Sequence, residues 1–183
     1  MDVTRLAIPE VVILRPRKFE DARGFFSETY NAAALAAHGI DLTFVQDNQS
    51  LSVERGVVRG LHFQLPPFAQ DKLVRVLRGS ILDVAVDIRR GSPTFGQHVS
   101  AVISAAEWNQ ILVPAGFAHG FCTLEPDTEV AYKVSAPYSP QHDRGILWND
   151  PALGIDWPVD ENSAVLSDKD RLHPTLAQAP DLF

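Results

Sequence analysis

Two polar residues spaced by one position on an extended segment point the same way, and Val58-Arg-Gly-Leu-His-Phe-Gln64 offers such a pair in His62 and Gln64. Gly60 shares their face, and Leu61 and Phe63 take the other. A His and a Gln aimed into a closed space can bind a metal, act as acid or base, or sit as satisfied core polars. Arg59 has the opposite parity. For it to serve the same space, Gly60 must distort the pleat or Arg59 must reach around an edge.

Other chemistry-bearing residues lie further on. Pro114-Ala-Gly-Phe-Ala-His119 carries a second histidine, and Lys72 follows Gln64. Pro-x-Gly-x-x-His resembles the second cupin motif, in which the histidine usually ligates metal. The first cupin motif supplies His-x-His and a later Glu; here the equivalents are His62-Phe63-Gln64 and Lys72. A lysine ammonium is a poor ligand and repels a cation, so the expectation is no metal. Tyr132, in Glu129-Val-Ala-Tyr-Lys-Val134, shares a face with Val130 and Val134. It is either core or an acid facing a substrate. Asp170, after Lys169, is either a surface cap or a carboxylate that orients a histidine. Arg23 beside Gly24, with Glu28 five residues on, suits the close approach of an anionic group.

These residues need elements to hold them. Val11 to Leu14 reads as a strand. A turn at Asp21-Ala-Arg-Gly24 leads into a second strand from Phe25 to Thr29. Asn31 to His38 reads as a helix capped by Asn31, with Gly39 at its end. The pattern is then β: Val57 to Gln64, Lys72 to Leu77, Ile81 to Ile88, His98 to Ser104, Gln110 to Val113, Gly120 to Leu124 and Glu129 to Val134. Arg78-Gly-Ser80 reads as a tight hairpin. Leu82, Val84, Val86 and Ile88 alternate with Asp83, Ala85 and Asp87. Ser167 to Asp170 has capping-box form in a Pro-rich tail. Many short strands with a few short helices predict an all-β jelly-roll sandwich or barrel whose ligand lies inside.

The chain has 183 residues, 45% of them hydrophobic, enough for one domain over 1–183 with a real core. Its net charge of −7 argues against non-specific nucleic-acid binding, so an anionic ligand must be met by gathered Arg and Lys. Cys122 is the one cysteine, which excludes an intrachain disulfide, and its apolar surroundings read as core. No apolar run is long enough to cross a bilayer, and the N-terminus lacks a signal-peptide pattern. The expectation is a cytoplasmic protein.

Taken in order, the motifs closely resemble the dTDP-4-dehydrorhamnose 3,5-epimerase family of the cupin superfamily, from about Ile8 to Pro174. They stand here as Asp21-Ala-Arg-Gly-Phe-Phe-Ser-Glu28, Phe44-Val-Gln-Asp-Asn-Gln-Ser50, Val58 to Gln64 and Lys72-Leu-Val-Arg-Val76. Asp83 to Arg89, Ser92 to Gly96, Pro114 to Phe121, Tyr132-Lys133, Gly145-Ile-Leu-Trp148 and Leu166 to Asp170 complete them. The resemblance implies a metal-free, cofactor-free jelly-roll homodimer acting on dTDP-4-dehydro-6-deoxy-glucose. It implies His62 as base, Asp170 as its partner, Tyr132 as the acid on the opposite face and Lys72 at the enolate oxygen. Phe19, Arg23, Glu28, Gln46, Asp47, Asn48, Arg59, Gln64, His119, Tyr138, Asp143 and Lys169 are the implied substrate contacts. Tyr138 would stack on thymine, and Phe19 would come from the partner subunit. Gln49 stands where the family often has His, and Asp143 where it often has Glu. Rival readings are a single-site epimerase, a relative that moves the ketone between C3 and C4, a metal-dependent cupin enzyme and a non-catalytic sugar-nucleotide module.

Overall fold

A computed structural model describes residues 1–183 as two packed antiparallel sheets, a small ribbon and two short helices, a cupin-type jelly roll. The strands are β1 (Asp2–Arg5), β2 (Val12–Arg15), β3 (Phe19–Asp21), β4 (Gly24–Phe26), β5 (Gln46–Ser52), β6 (Val58–Gln64) and β7 (Lys72–Arg78). They continue with β8 (Ser80–Asp87), β9 (His98–Ser104), β10 (Gln110–Val113), β11 (Phe117–Thr123), β12 (Thr128–Val134) and β13 (Asp143–Gly145). The helices are α1 (Ala32–Ala36) and α2 (Asp168–Arg171). One sheet runs β1-β2-β10-β7-β12-β5, the other β13-β6-β11-β8-β9, and β3-β4 form the ribbon.

The core explains the layering. Val74, Val76, Ile111, Val113 and Val130 of the first sheet meet Ile81, Ala85, Ile103, Phe117 and Phe121 of the second. Period-two alternation sends the neighbouring side chains outward. On β8 those are Val84 and Val86, which pack with Ile88, Ile146, Leu153 and Ala179. The apolar face of β8 is therefore covered by the C-terminal tail, while Asp83 and Asp87 lie on the face turned to the opposite sheet. Burying both faces explains why this strand is so apolar.

Three expectations are corrected. Arg78-Gly-Ser80 is not a hairpin: β7 pairs with β10 and β12, whereas β8 pairs with β11 and β9. The chain turns from one sheet into the other there. Gly79 permits the corner with φ +77°, and a Cβ on it would lie 2.4 Å from Thr128 Oγ1. The strand expected from Phe25 to Thr29 ends at Phe26. Beyond it Ser27 Oγ donates to the Arg17 carbonyl at 2.8 Å and accepts from Trp108 Nε1 at 3.2 Å. The helix after Asn31 is shorter than expected and stops at Ala36, although Asn31 Oδ1 caps it from Ala34 N–H at 3.1 Å.

Candidate active site

Of the two ways Arg59 could join the face of His62, the structure takes the distortion at Gly60, and this sets the geometry of the site. Across the β6–β11 ladder His62 faces His119 and Arg59 faces Phe121, three steps on one strand against two on the other. That extra residue is a bulge, and it brings Arg59 to the same cavity as His62. Gly60 has φ +133°, and a Cβ there would lie 2.5 Å from the Gly120 α-carbon. No other residue allows so close a crossing of the two backbones.

A cavity of about 460 Å³ opens between the sheets at this point. His62, Arg59, His119 and Phe121 enter from one sheet, and Lys72, Tyr132 and Ser50 from the other. Lys169 and Asp170 close one side from α2. A neighbouring cavity of about 420 Å³ shares His62, Lys72, Tyr132 and Lys169 and adds Gln46, Asn48, Gln64, Tyr138 and Asp143.

Asp170 reaches His62 across 108 residues through one local device. Val165 forms a parallel bridge to Val57, so five further residues on each chain arrive side by side. Ser167 Oγ then caps α2 by accepting from Asp170 N–H at 3.1 Å. Asp170 Oδ1 lies 2.5 Å from His62 Nε2. The carboxylate selects the tautomer with the proton on Nε2, which leaves Nδ1 as the basic lone pair. Burial pushes the His62 imidazolium below its ordinary pKa, Asp170 opposes that, and Lys72 and His173 add to it. The outcome is a neutral imidazole with a free lone pair near neutrality.

Tyr132 stands on β12 in the opposite sheet and packs against the inter-sheet core. Burial raises its phenol pKa, so the hydroxyl keeps its proton. Lys72 on β7 is buried, and its Nζ donates to the His62 carbonyl at 3.3 Å. Burial lowers its pKa to about 8 against the pull of Asp143 and Asp83. It therefore remains mostly charged at neutral pH while sitting where that charge is poorly solvated. His119 Nε2 lies 2.9 Å from Asp83 Oδ2, a second histidine–carboxylate pair below the first.

Other expected residues fall in two groups. Lys169 pairs with Asp143, to which the Tyr138 hydroxyl also donates at 3.1 Å. Gln46 Nε2 donates to Asn48 Oδ1 at 2.8 Å, and Lys133 holds Asp47 at 2.8 Å. Gln64 spends its amide on backbone, donating to Phe68 O at 2.7 Å and Pro137 O at 3.1 Å and accepting from Ser139 N–H at 2.8 Å. It thereby pins the loop that carries Tyr138. Phe19, Arg23 and Glu28 do not line either cavity. Phe19 is half exposed on the β3–β4 ribbon, and Arg23 pairs only with its neighbour Asp21 at 2.6 Å.

The cupin ligand positions make a poor metal set. Gln64 Oε1 is taken by Ser139, and Lys72 brings a cation among the donors. His62, Asp170 and His173 place their ligand-type atoms within 4.8 Å of one another, but Asp170 Oδ1 already faces both imidazoles. Asp83 and His173 were not singled out in the sequence. The signals for them were slight: an acid on the polar side of β8, and a histidine three residues after Asp170.

A family model described as dTDP-4-dehydrorhamnose 3,5-epimerase matches residues 5–178. The chain is 56% identical over 178 residues to dTDP-4-dehydrorhamnose 3,5-epimerase of Sinorhizobium fredii, covering 97% of this chain and 91% of that one. The crystal structure of the enzyme of that name from Bacillus anthracis, with TDP and PPi bound, superposes with a TM-score of 0.92 at 52% identity, covering 95% of this chain and 98% of that one. That of dTDP-6-deoxy-D-glucose-3,5-epimerase from Legionella pneumophila, in complex with dTDP-4-keto-L-rhamnose, gives 0.91 at 44% identity, covering 97% and 93%.

Proposed function

Because the chain belongs to the dTDP-4-dehydrorhamnose 3,5-epimerase family, we propose that His62 and Tyr132 divide the proton transfers of a 3,5-epimerisation between two faces of one sugar ring. The chain is an isomerase acting on carbohydrate: it converts dTDP-4-dehydro-6-deoxy-D-glucose to dTDP-4-dehydro-L-rhamnose by inverting C3 and C5. Both carbons flank the 4-ketone, so loss of either proton moves charge onto the same oxygen. His62 Nδ1 takes the proton, and Asp170 steadies the imidazolium that results. A positioned base contributes about 10²–10⁴ in rate. Lys72 faces the oxygen that gathers charge; one preorganised donor there is worth about 3–4 kcal/mol. Tyr132 returns a proton to the opposite face, which separates inversion from futile exchange.

The observation that carries this reading is the placement of base and acid on different sheets. His62 comes from β6, Tyr132 from β12, and both line one cavity. Arg59 and Lys169 supply positive charge at the cavity edge for a diphosphate, which reconciles an acidic protein with an acidic ligand.

A homodimer is part of the same proposal. Phe19 and Arg23 lie on an exposed ribbon away from the cavity, and Phe25 and Phe26 beside them are exposed too. A ribbon of that composition suits a partner subunit, to whose cavity it brings Phe19 and Arg23. The tail over β8 that delivers Asp170 supports reading 1–183 as one catalytic unit. No helix is long and apolar enough to cross a membrane. A cytoplasmic location is the reading that suits a lone buried thiol, Cys122, whose pKa burial raises to about 11.

Turnover of the dTDP-4-keto sugar in D₂O tests the reaction by mass spectrometry. Two non-exchangeable deuteriums are expected in the product; one would mean a mono-epimerase. His62→Ala should abolish deuterium uptake, whereas Tyr132→Phe should still exchange protons but lose the inverted product.

A further inference from the structure

The tail that delivers Asp170 places a second imidazole beside it. His173 is about nine-tenths buried, and its Nε2 lies 3.5 Å from Asp170 Oδ1, the oxygen that His62 holds at 2.5 Å. The 3.5 Å gap is longer than a formed hydrogen bond, and Nε2 is a buried nitrogen with no hydrogen-bond partner. Its ring meets the His62 ring edge-on, with centroids 5.6 Å apart. The slot that holds it is built for an imidazole. Gly145 stands directly across the ladder from His62, and a Cβ on Gly145 would lie 2.3 Å from His173 Nε2. The glycine leaves out a side chain where the ring lies.

We propose that His173 is a positioning residue, a second N–H aimed at the Asp170 carboxylate that sets how tightly His62 keeps a proton. The inference rests on the reading of His62 as base. A carboxylate oxygen approached by a second N–H dipole, here at 3.5 Å, is a weaker acceptor for the first. His173 thus draws part of the Asp170 charge away from His62. Burial alone would raise the Asp170 carboxyl, but the His173 and His62 ring edges that face it hold it below the usual carboxylate range. A base held too tightly by its partner would stay protonated between turnovers; sharing keeps the imidazole neutral and available.

The charged and titratable groups around this couple come from every side. Lys72 and Tyr132 face it from the first sheet, and Arg59 and His119 with Asp83 from the second. Lys169 shares α2, while Asp143, Arg144 and Asp181 flank the outer edge of His173. None of them is replaced in a residue-173 variant, so a shift in the pH profile reports on His173.

The test compares His173→Phe, which fills the slot without a donor, with His173→Gln, which keeps one. His173→Phe should lower kcat about tenfold with KM within about twofold, the scale typical of a residue supporting a reactive group. Removing the competing donor raises the His62 pKa, so the acid limb of kcat/KM should move about half a pH unit upward. His173→Gln should restore the limb and most of kcat. Should the Phe variant not fold, His173→Asn, whose amide is too short to reach, replaces it in the comparison. An unshifted limb, or equal behaviour of the donor and non-donor variants, overturns the proposal. His62→Asn in D₂O separates the two claims: continued exchange sinks the base assignment, whereas lost exchange with no effect at residue 173 sinks only this one.

Discussion

At the scale of single residues the site works through opposed environments. His62 is buried enough to stay neutral, and Lys72 is buried enough that its charge is costly, yet a partner or a backbone carbonyl holds each in place. With His62 proposed as base and Lys72 as the cation at the enolate oxygen, the reaction needs the first unprotonated and the second protonated, which fixes the signs of the pH profile. The rising limb should lie below the ordinary histidine value of about 6.5, because burial lowers the His62 pKa. The falling limb should lie near pH 8, where Lys72 loses its proton. Tyr132 should not contribute a limb in this range, since burial raises its pKa. Lys72→Met is expected to cost about 10²–10³ in kcat and to remove the falling limb. A pH–rate series on both enzymes measures this, and a falling limb that survives in the variant would show that another group sets it.

At the scale of elements, irregular features decide which side chains meet. A regular β6 would turn Arg59 away from His62; the bulge at Gly60 turns it back. Gly60→Ala forces a Cβ against the Gly120 α-carbon at 2.5 Å with φ at +133°. The expected outcome is a loss of about 3 kcal/mol or more of stability and of nearly all activity, read by thermal unfolding and turnover. The Val57–Val165 bridge is the comparable device for Asp170, since it aligns a tail helix with a strand far away in sequence. The corner at Gly79 is a third. It moves the chain from the sheet that holds Lys72 to the sheet that holds Asp83, which would be lost if β7 and β8 paired.

At the scale of the whole molecule, two sheets of different make-up enclose one cavity, with His62 and Tyr132 on opposite walls. The same scale leaves Phe19, Phe25 and Phe26 at 50%, 53% and 67% exposure on the small ribbon. Sedimentation equilibrium is expected to find a dimer. Phe25→Asp with Phe26→Asp should weaken it and raise KM for the sugar nucleotide about tenfold or more, as contacts worth about 1.4 kcal/mol per decade are lost. A monomeric wild type, with KM unchanged in the double variant, would leave Phe19 and Arg23 without a role at the cavity.

The sequence by itself determined the all-β class, most strand positions and the polar residues that line the cavity, because period-two alternation and motif spacing are local properties. It also carried the sign that, if Arg59 and His62 serve one site, either Gly60 distorts the pleat or Arg59 reaches around an edge; the structure decided for the first. It could not say that Arg78-Gly-Ser80 joins two sheets, because a glycine corner and a glycine hairpin share the same local chemistry. Nor could it reveal β1, β5 or β13, whose residues are mostly polar or exposed and become strands only by pairing with a neighbour. The tertiary structure alone decided that the apolar face of β8 lies under the tail, that Gln64 pins a loop, and that His173 lies against Asp170. Each depends on contacts between segments far apart in the chain, and such contacts leave no periodic trace in either segment.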